Sequence, residues 1–276
     1  MRSWGLDVVV GRHVADVDSR FGYLAGTDQD RASDLQEAWL DPTVAGVICA
    51  RGGYGSERIV ERLDWGAIRA AGPKVFAGYS DVTALHEAFA LRMGLATLHS
   101  PMAAAQVFVS DDLTAELFRR TLFEPESVLT ITSPTAETLV RGTARGVTVG
   151  GCLSLLVSAI GTPTGRQSVS GGILMLEDVA EEPYRLDRML THLRRSGWLD
   201  GVAGIAFGSL FGCGPADVLR DLVLDRLGGL AVPIGWELGF GHCPSSLTVP
   251  LGVPATLIAD PDANTATLTF DAPALR

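Results

Sequence analysis

Three residues capable of acyl-transfer chemistry stand in short motifs of this chain. They are a serine in Gly78-Tyr79-Ser80-Asp81, a glutamate in Leu176-Glu177-Asp178 and a histidine in Gly239-Phe240-Gly241-His242. Each follows a run that reads as a strand: Lys74 to Ala77, Ile173 to Leu176 and Val232 to Ile234. In open parallel sheets ligands bind beyond the carboxyl ends of strands, where strand-to-helix loops converge. Ser80, between an apolar strand and a helix, would sit on a sharp turn with its hydroxyl exposed and the following amide facing the same point. That is the logic of a nucleophile elbow, although the second glycine of Gly-x-Ser-x-Gly is absent. The alternative is that Ser80 caps the helix at Val82. Glu177 ends a run expected to be buried, where an unpaired carboxylate is costly and an imidazole would satisfy it. Otherwise Glu177 or Asp178 caps the helix beginning near Pro183, or meets a structural arginine. His242 lies in a glycine-rich loop, which favours a working imidazole over a packed one. Along the chain the three come in the order nucleophile, acid, base.

A second cluster of candidates follows the run Ala45 to Cys49, in Arg51-Gly52-Gly53-Tyr54-Gly55-Ser56. The P-loop lysine and the dinucleotide Gly-x-Gly-x-x-Gly spacing are both missing, which disfavours a nucleotide site. The paired glycines allow close backbone approach to a ligand, and one of their amides could serve as an oxyanion donor to Ser80. Arg51 could take a substrate carboxylate bidentately, with Gly52 and Tyr54 as further substrate-facing candidates; the alternative is a glycine-rich turn with a surface arginine. His99, at the end of the run Leu95 to Leu98, is expected to touch ligand. His86 and His192 fall inside helical patterns and read as structural, and His13 carries no signal.

The chain that positions these residues has 276 residues, 47% of them apolar and 20% charged, with a formal net charge of -10. At roughly 150 residues per domain the expectation is two globular domains. The acidic balance and the lack of basic clusters interleaved with aromatics exclude a nucleic-acid binder. Cys49, Cys152, Cys213 and Cys243 show no Cys-x-x-Cys spacing, so reduced thiols are expected and no zinc or redox site. No secretion signal is visible and every apolar run falls short of the roughly 20 residues that span a bilayer, which points to the cytoplasm and no membrane partner.

Short β-rich runs alternate with helix-period segments, the pattern of a mainly parallel α/β sheet. Besides the strands named, Leu6 to Val10 reads as a strand. Helices are expected at Asp30 to Leu40, Glu57 to Ala71, Val82 to Arg92 closed by Gly94, and Leu113 to Leu122. Residues 104–142 read as a looser inter-domain connection. The second half opens with Gly150-Gly151 and the apolar run Leu153 to Ile160. A helix from Pro183 to Gly197 precedes a strand at Val202 to Phe207, and Ala255 to Ala259 and Thr265 to Phe270 form a hairpin. The expected domains are 1–125, carrying the nucleophile, and 126–276, carrying the glutamate and histidine.

Taken together, several segments resemble the LD-carboxypeptidase family of serine peptidases, which also includes enzymes giving immunity to microcin C. They are Phe21 to Gly26, Ala50 to Ser56, Gly78 to Thr83, Gly150 to Ser154, Leu176 to Val179 with Pro183 to Arg188, and Gly241-His242, in family order across nearly the whole chain. The resemblance implies a Ser80-His242-Glu177 triad, with oxyanion donors from the amides of Asp81 and Gly53. It implies an N-terminal flavodoxin-like parallel-sheet domain, a C-terminal mixed α/β domain, a homodimer, and no metal or cofactor. The implied substrate is a small peptide, the murein tetrapeptide, cleaved between a dibasic L-centre and terminal D-alanine. Family members carry an extra βα unit before the point matching residue 1, and Cys152 replaces the asparagine of a Gly-Gly-Asn pattern. The immunity branch tends to carry a tryptophan in a longer loop before the glutamate strand, and Ser154 to Gly171 has none, which leans toward murein peptides. The two alternatives are a microcin C-type peptidase acting on aminoacyl-nucleotides and an inactive ligand-binding homologue.

Overall fold

The computed structural model describes residues 1–275. In chain order, the first part holds α1 (Asp28–Leu40), β1 (Gly46–Ile48), α2 (Glu57–Val60), α3 (Trp65–Ala71), β2 (Val75–Gly78), α4 (Thr83–Met93), β3 (Thr97–His99), α5 (Gln106–Ser110) and α6 (Asp112–Phe123). The remainder holds β4 (Thr130–Ile131), β5 (Glu137–Val140), β6 (Gly142–Cys152), α7 (Leu153–Ser158), β7 (Gly172–Val179), α8 (Pro183–Arg195), β8 (Gly204–Phe211), α9 (Ala216–Leu227), β9 (Ile234–Trp236), β10 (Val249–Leu251), β11 (Pro254–Asp260) and β12 (Thr265–Phe270).

Two mixed sheets result. The smaller has the order β1-β2-β3-β10: the first three strands run parallel, and β10, drawn from the C-terminal half, pairs antiparallel with β3. The larger has the order β4-β12-β11-β6-β7-β8-β9-β5, parallel from β6 to β9 and antiparallel toward both edges. The α/β expectation is met, and the β11–β12 hairpin forms with Ala255 opposite Phe270. Strands β7 and β8 are buried through almost their whole length because helices cover one face and the β10–β12 region the other. In the smaller sheet the core is aromatic: Trp39 stacks on Phe89 at 4.5 Å between centroids, with Phe76 at 4.7 Å and Trp65 at 5.2 Å from Phe89.

Local chemistry explains the helix ends. Thr27 and Asp30 form a reciprocal capping box on α1, and Gly94 closes α4 in the left-handed conformation. The single helix expected at Glu57 to Ala71 is two, because the Asp64 side chain accepts from the Ala67 amide and starts α3 afresh. Leu6 to Val10 is not a strand: Val9 is 79% and Val10 60% exposed, and no described strand takes its hydrogen bonds. Residues 104–142 are more than a connection, since they supply α5, α6, β4 and β5, the last two pairing with β12 and β9. Glycines hid β6 from a propensity reading. They are required there: a Cβ on Gly150 would lie 2.0 Å from the Met175 carbonyl oxygen, and one on Gly146 2.4 Å from that of Gly171.

Phe89 is fully buried at the centre of the aromatic cluster. Phe89→Ala is expected to cost about 3–5 kcal/mol of stability, read as a lower midpoint in denaturant unfolding.

Candidate active site

Strand β2 delivers the chain to Gly78, and the next turn is strained. Ser80 has φ 63, a left-handed conformation that a non-glycine residue rarely holds without a reason. Its hydroxyl caps nothing: the residue at the cap position of α4 is Val82, with no side-chain cap bond. The helix-cap alternative therefore falls. Asp81 follows in the first turn of a 3-10 helix, where amides lack intrahelical partners. Its own carboxylate is buried and accepts the Ser56 amide at 2.8 Å, tying the glycine-rich loop to the elbow. That loop passes so close that a Cβ on Gly52 would lie 3.2 Å from Ser80 Oγ. Gly53 (φ 110) and Gly55 (φ 118) make the bends, and Arg31 donates to the Gly55 carbonyl at 2.7 Å. Arg51 is exposed and donates to the Gly52 carbonyl at 2.9 Å, while Tyr54 is exposed with its ring against Tyr23.

Glu177 comes from the far half of the chain, near the end of β7, beside a break in register with β8 between Leu176 and Asp178. It is fully buried. Its Oε2 meets His242 Nδ1 at 2.6 Å and also accepts the His242 amide at 3.2 Å. An ionised carboxylate only accepts, so Nδ1 carries the proton and Nε2 is left free as a base. The approach depends on Gly241, whose φ is 89 and where a Cβ would lie 2.6 Å from Glu177. Burial alone would raise the Glu177 carboxyl, but His242 and His99 outweigh it and hold it below the carboxylate range. Burial likewise acts to lower His242, and the Glu177 carboxylate reverses this and raises it. The helix-capping alternative does not occur: Asp178 accepts the amides of Ser154 and Val179, each at 2.8 Å, and α8 has no side-chain cap.

The two halves meet through Tyr79, whose ring lies 4.6 Å from that of His242, centroid to centroid. Among the described residues no hydrogen bond joins the Ser80 hydroxyl to the His242 ring. Thr83 adds a second tie by accepting the Cys152 amide at 3.0 Å.

Family models for the LD-carboxypeptidase N-terminal and C-terminal domains match residues 1–100 and 145–257. A Streptomyces coelicolor relative is 59% identical over 275 residues, spanning 100% of this chain and 87% of its own. The murein tetrapeptide carboxypeptidase of Pseudomonas aeruginosa is 34% identical over 265 residues, spanning 92% of this chain and 84% of its own. The chain belongs to the LD-carboxypeptidase family. Its fold matches the crystal structure of the Oxalobacter formigenes muramoyltetrapeptide carboxypeptidase with a TM-score of 0.77 at 30% identity, covering 98% of this chain and 91% of that one. The microcin C7 self-immunity protein shares the fold, with a TM-score of 0.78 at 23% identity, covering 96% of this chain and 86% of that one. As a member of this family the protein is a serine peptidase.

His99, expected to touch ligand, lies within the protein: it is 2% exposed, with Nε2 3.5 Å from Glu177 Oε1. His86 is structural as expected, donating from Nε2 to the Gly78 carbonyl and accepting from Thr97 at Nδ1, both 2.9 Å, with burial lowering it to about 3. The four cysteines are free thiols. Among the described residues one group of metal-type ligands converges, His13, Asp16 and Asp30, and its members are engaged with each other and with the Thr27 cap. No helix of the described residues is long and apolar enough to cross a membrane. The sequence reading missed the roles of Tyr79, Thr83 and the Asp81 side chain; proximity to Ser80 was the only signal they offered.

Burial pulls His242 down and Glu177 raises it, so loss of the Glu177 charge leaves burial opposed only by the more distant Asp178. In Glu177→Gln, titration of His242 by NMR is expected to move from above the ordinary value of 6.5 to below it.

Proposed function

We propose that the chain releases the C-terminal D-amino acid from murein tetrapeptides by covalent catalysis at Ser80. The observation that carries this reading is the contact of the buried Glu177 carboxylate with the His242 ring at 2.6 Å, together with a serine held at φ 63 next to Tyr79, whose ring lies against that of His242. Supporting it are the relatives at 34% and 30% identity that are named for murein or muramoyl tetrapeptide cleavage.

His242 Nε2 takes the Ser80 proton as Oγ attacks the scissile carbonyl. The Ser80–His242 hydrogen bond is expected to form when substrate binds, as catalytic hydrogen bonds often tighten at that stage. Amides of Asp81 and Gly53 receive the oxyanion, and the closeness of Gly52 to Ser80 Oγ supports the loop's part in this. The intermediate collapses as His242 protonates the leaving D-alanine amine. Water, deprotonated by His242, then hydrolyses the acyl-enzyme and restores Ser80. Glu177 fixes the imidazole tautomer and stabilises its charged form. Arg51 and Tyr54, exposed on the loop, receive the substrate, Arg51 through its carboxylate. Residues 1–125 carry the nucleophile and the segment from 126 onward carries the acid–base pair, with β10 crossing back into the smaller sheet. The enzyme works as a homodimer in the cytoplasm on free murein peptides during peptidoglycan recycling, without metal or cofactor.

Ser80→Ala is expected to lose at least about ten-thousand-fold in kcat on a murein tetrapeptide and to lose labelling by a fluorophosphonate, while keeping the fold. Unchanged turnover would refute the triad. Offering an aminoacyl-nucleotide to the same preparation separates the immunity-type activity, and failure of both substrates and of labelling would leave only ligand binding. For the active enzyme, kcat/KM is expected to rise with pH through the ionisation of His242, above 6.5, because only the neutral imidazole accepts the serine proton.

A further inference from the structure

We propose that His99 is a positioning residue of the hydrolytic site, whose Nε2–H holds the second carboxylate oxygen of Glu177 so that the first stays committed to His242. The inference rests on the Ser80–His242–Glu177 reading above.

Glu177 Oε2 accepts twice from His242, but Oε1 is buried without a hydrogen-bond partner. Both ring nitrogens of His99 are buried without one as well. These two orphans face each other, with Nε2 3.5 Å from Oε1. Leaving a buried carboxylate oxygen unmatched is costly, and a closing shift of about 0.5 Å makes a normal hydrogen bond. The carboxylate can only accept, so the attractive arrangement has the proton on Nε2. His99 is well placed to hold still. It ends β3, opposite Gly78 in β2 and Val249 in β10. The rings of Tyr79 and Phe240 meet it edge to face, each at 5.9 Å, and His86 lies at 6.2 Å.

His99 belongs to the lobe that carries Ser80, and Glu177 to the other. A hydrogen bond between them therefore registers the acid–base pair against the nucleophile's sheet. The ring is closed off from substrate, so it acts through Glu177. The titratable groups facing His99 are Tyr79, His86 and Glu177, and both His86 nitrogens are already used. Those facing His242 are Glu177 and Tyr79, with Asp178 acting at longer range.

Loss of the donor leaves Glu177 more basic, so the Glu177–His242 pair takes up a proton more readily. In His99→Leu, kcat is expected to fall about 10- to 100-fold with little change in KM, as for other residues that orient a working side chain. The acidic limb of kcat/KM is expected to move to higher pH by about one unit. His99→Gln, which keeps a donor near the same point, is expected to restore the wild-type limb and most of kcat. A wild-type limb in His99→Leu, or equal impairment of the two variants, overturns the proposal. Independently of variant folding, nitrogen-15 NMR of the wild-type enzyme should show His99 protonated at Nε2, and an unprotonated Nε2 also overturns it. Ser80→Ala and Glu177→Gln run alongside. Retained activity in those two sinks the triad itself, whereas their inactivity with an unmoved His99→Leu limb sinks only the role of His99.

Discussion

A carboxylate buried at the end of a central strand is the constraint around which the rest of this molecule is arranged. Glu177 has no access to water, so its charge must be met by protein groups. His242 supplies two of them, its ring and its amide, on the same oxygen. The loop can come that near only because residue 241 has no side chain and adopts a positive φ. The register break in β7 turns Asp178 aside to accept the Ser154 and Val179 amides, so two adjacent acids do separate jobs. The cost of burial and the fixed tautomer of the imidazole are two views of one contact.

The Ser80 side of the site shows the same economy of backbone approach. Ser80 holds a left-handed conformation, and the Asp81 carboxylate anchors the loop whose Gly52 brushes the serine oxygen. Strain at such a position persists where the surroundings over-determine it. Here the surroundings are the His86 hydrogen bond to the Gly78 carbonyl, the Ser100 amide on the same carbonyl, and the tight packing of Val82 against Gly78. The lobes are not independent beads. Strand β10 crosses back to complete the smaller sheet, and Thr83 ties α4 to the end of β6.

Much of the fold was legible in the sequence because its signals were local. Apolar runs gave β1, β2, β3, β7 and β8, capping residues bounded α1 and α4, and the turn before Thr265 marked the hairpin. The misses share a cause. Leu6 to Val10 has strand-like residues but no neighbouring strand, and β6 has neighbours but, being glycine-rich, lacks strand-like residues. β-structure depends on a partner, which composition does not report. The break between α2 and α3 turned on a single aspartate whose side chain competed with the helix.

The sequence by itself determined the family, the alternation of strand and helix, and the residue types able to do acyl transfer, since motif spacing and periodicity are written along the chain. Only the tertiary structure decided that Glu177 pairs with His242 instead of capping a helix, that Ser80 is strained instead of capping, and that His99 is buried facing an acid. The reason is distance: these contacts join residues tens of positions apart, and their outcome depends on which groups water can no longer reach once the sheets close.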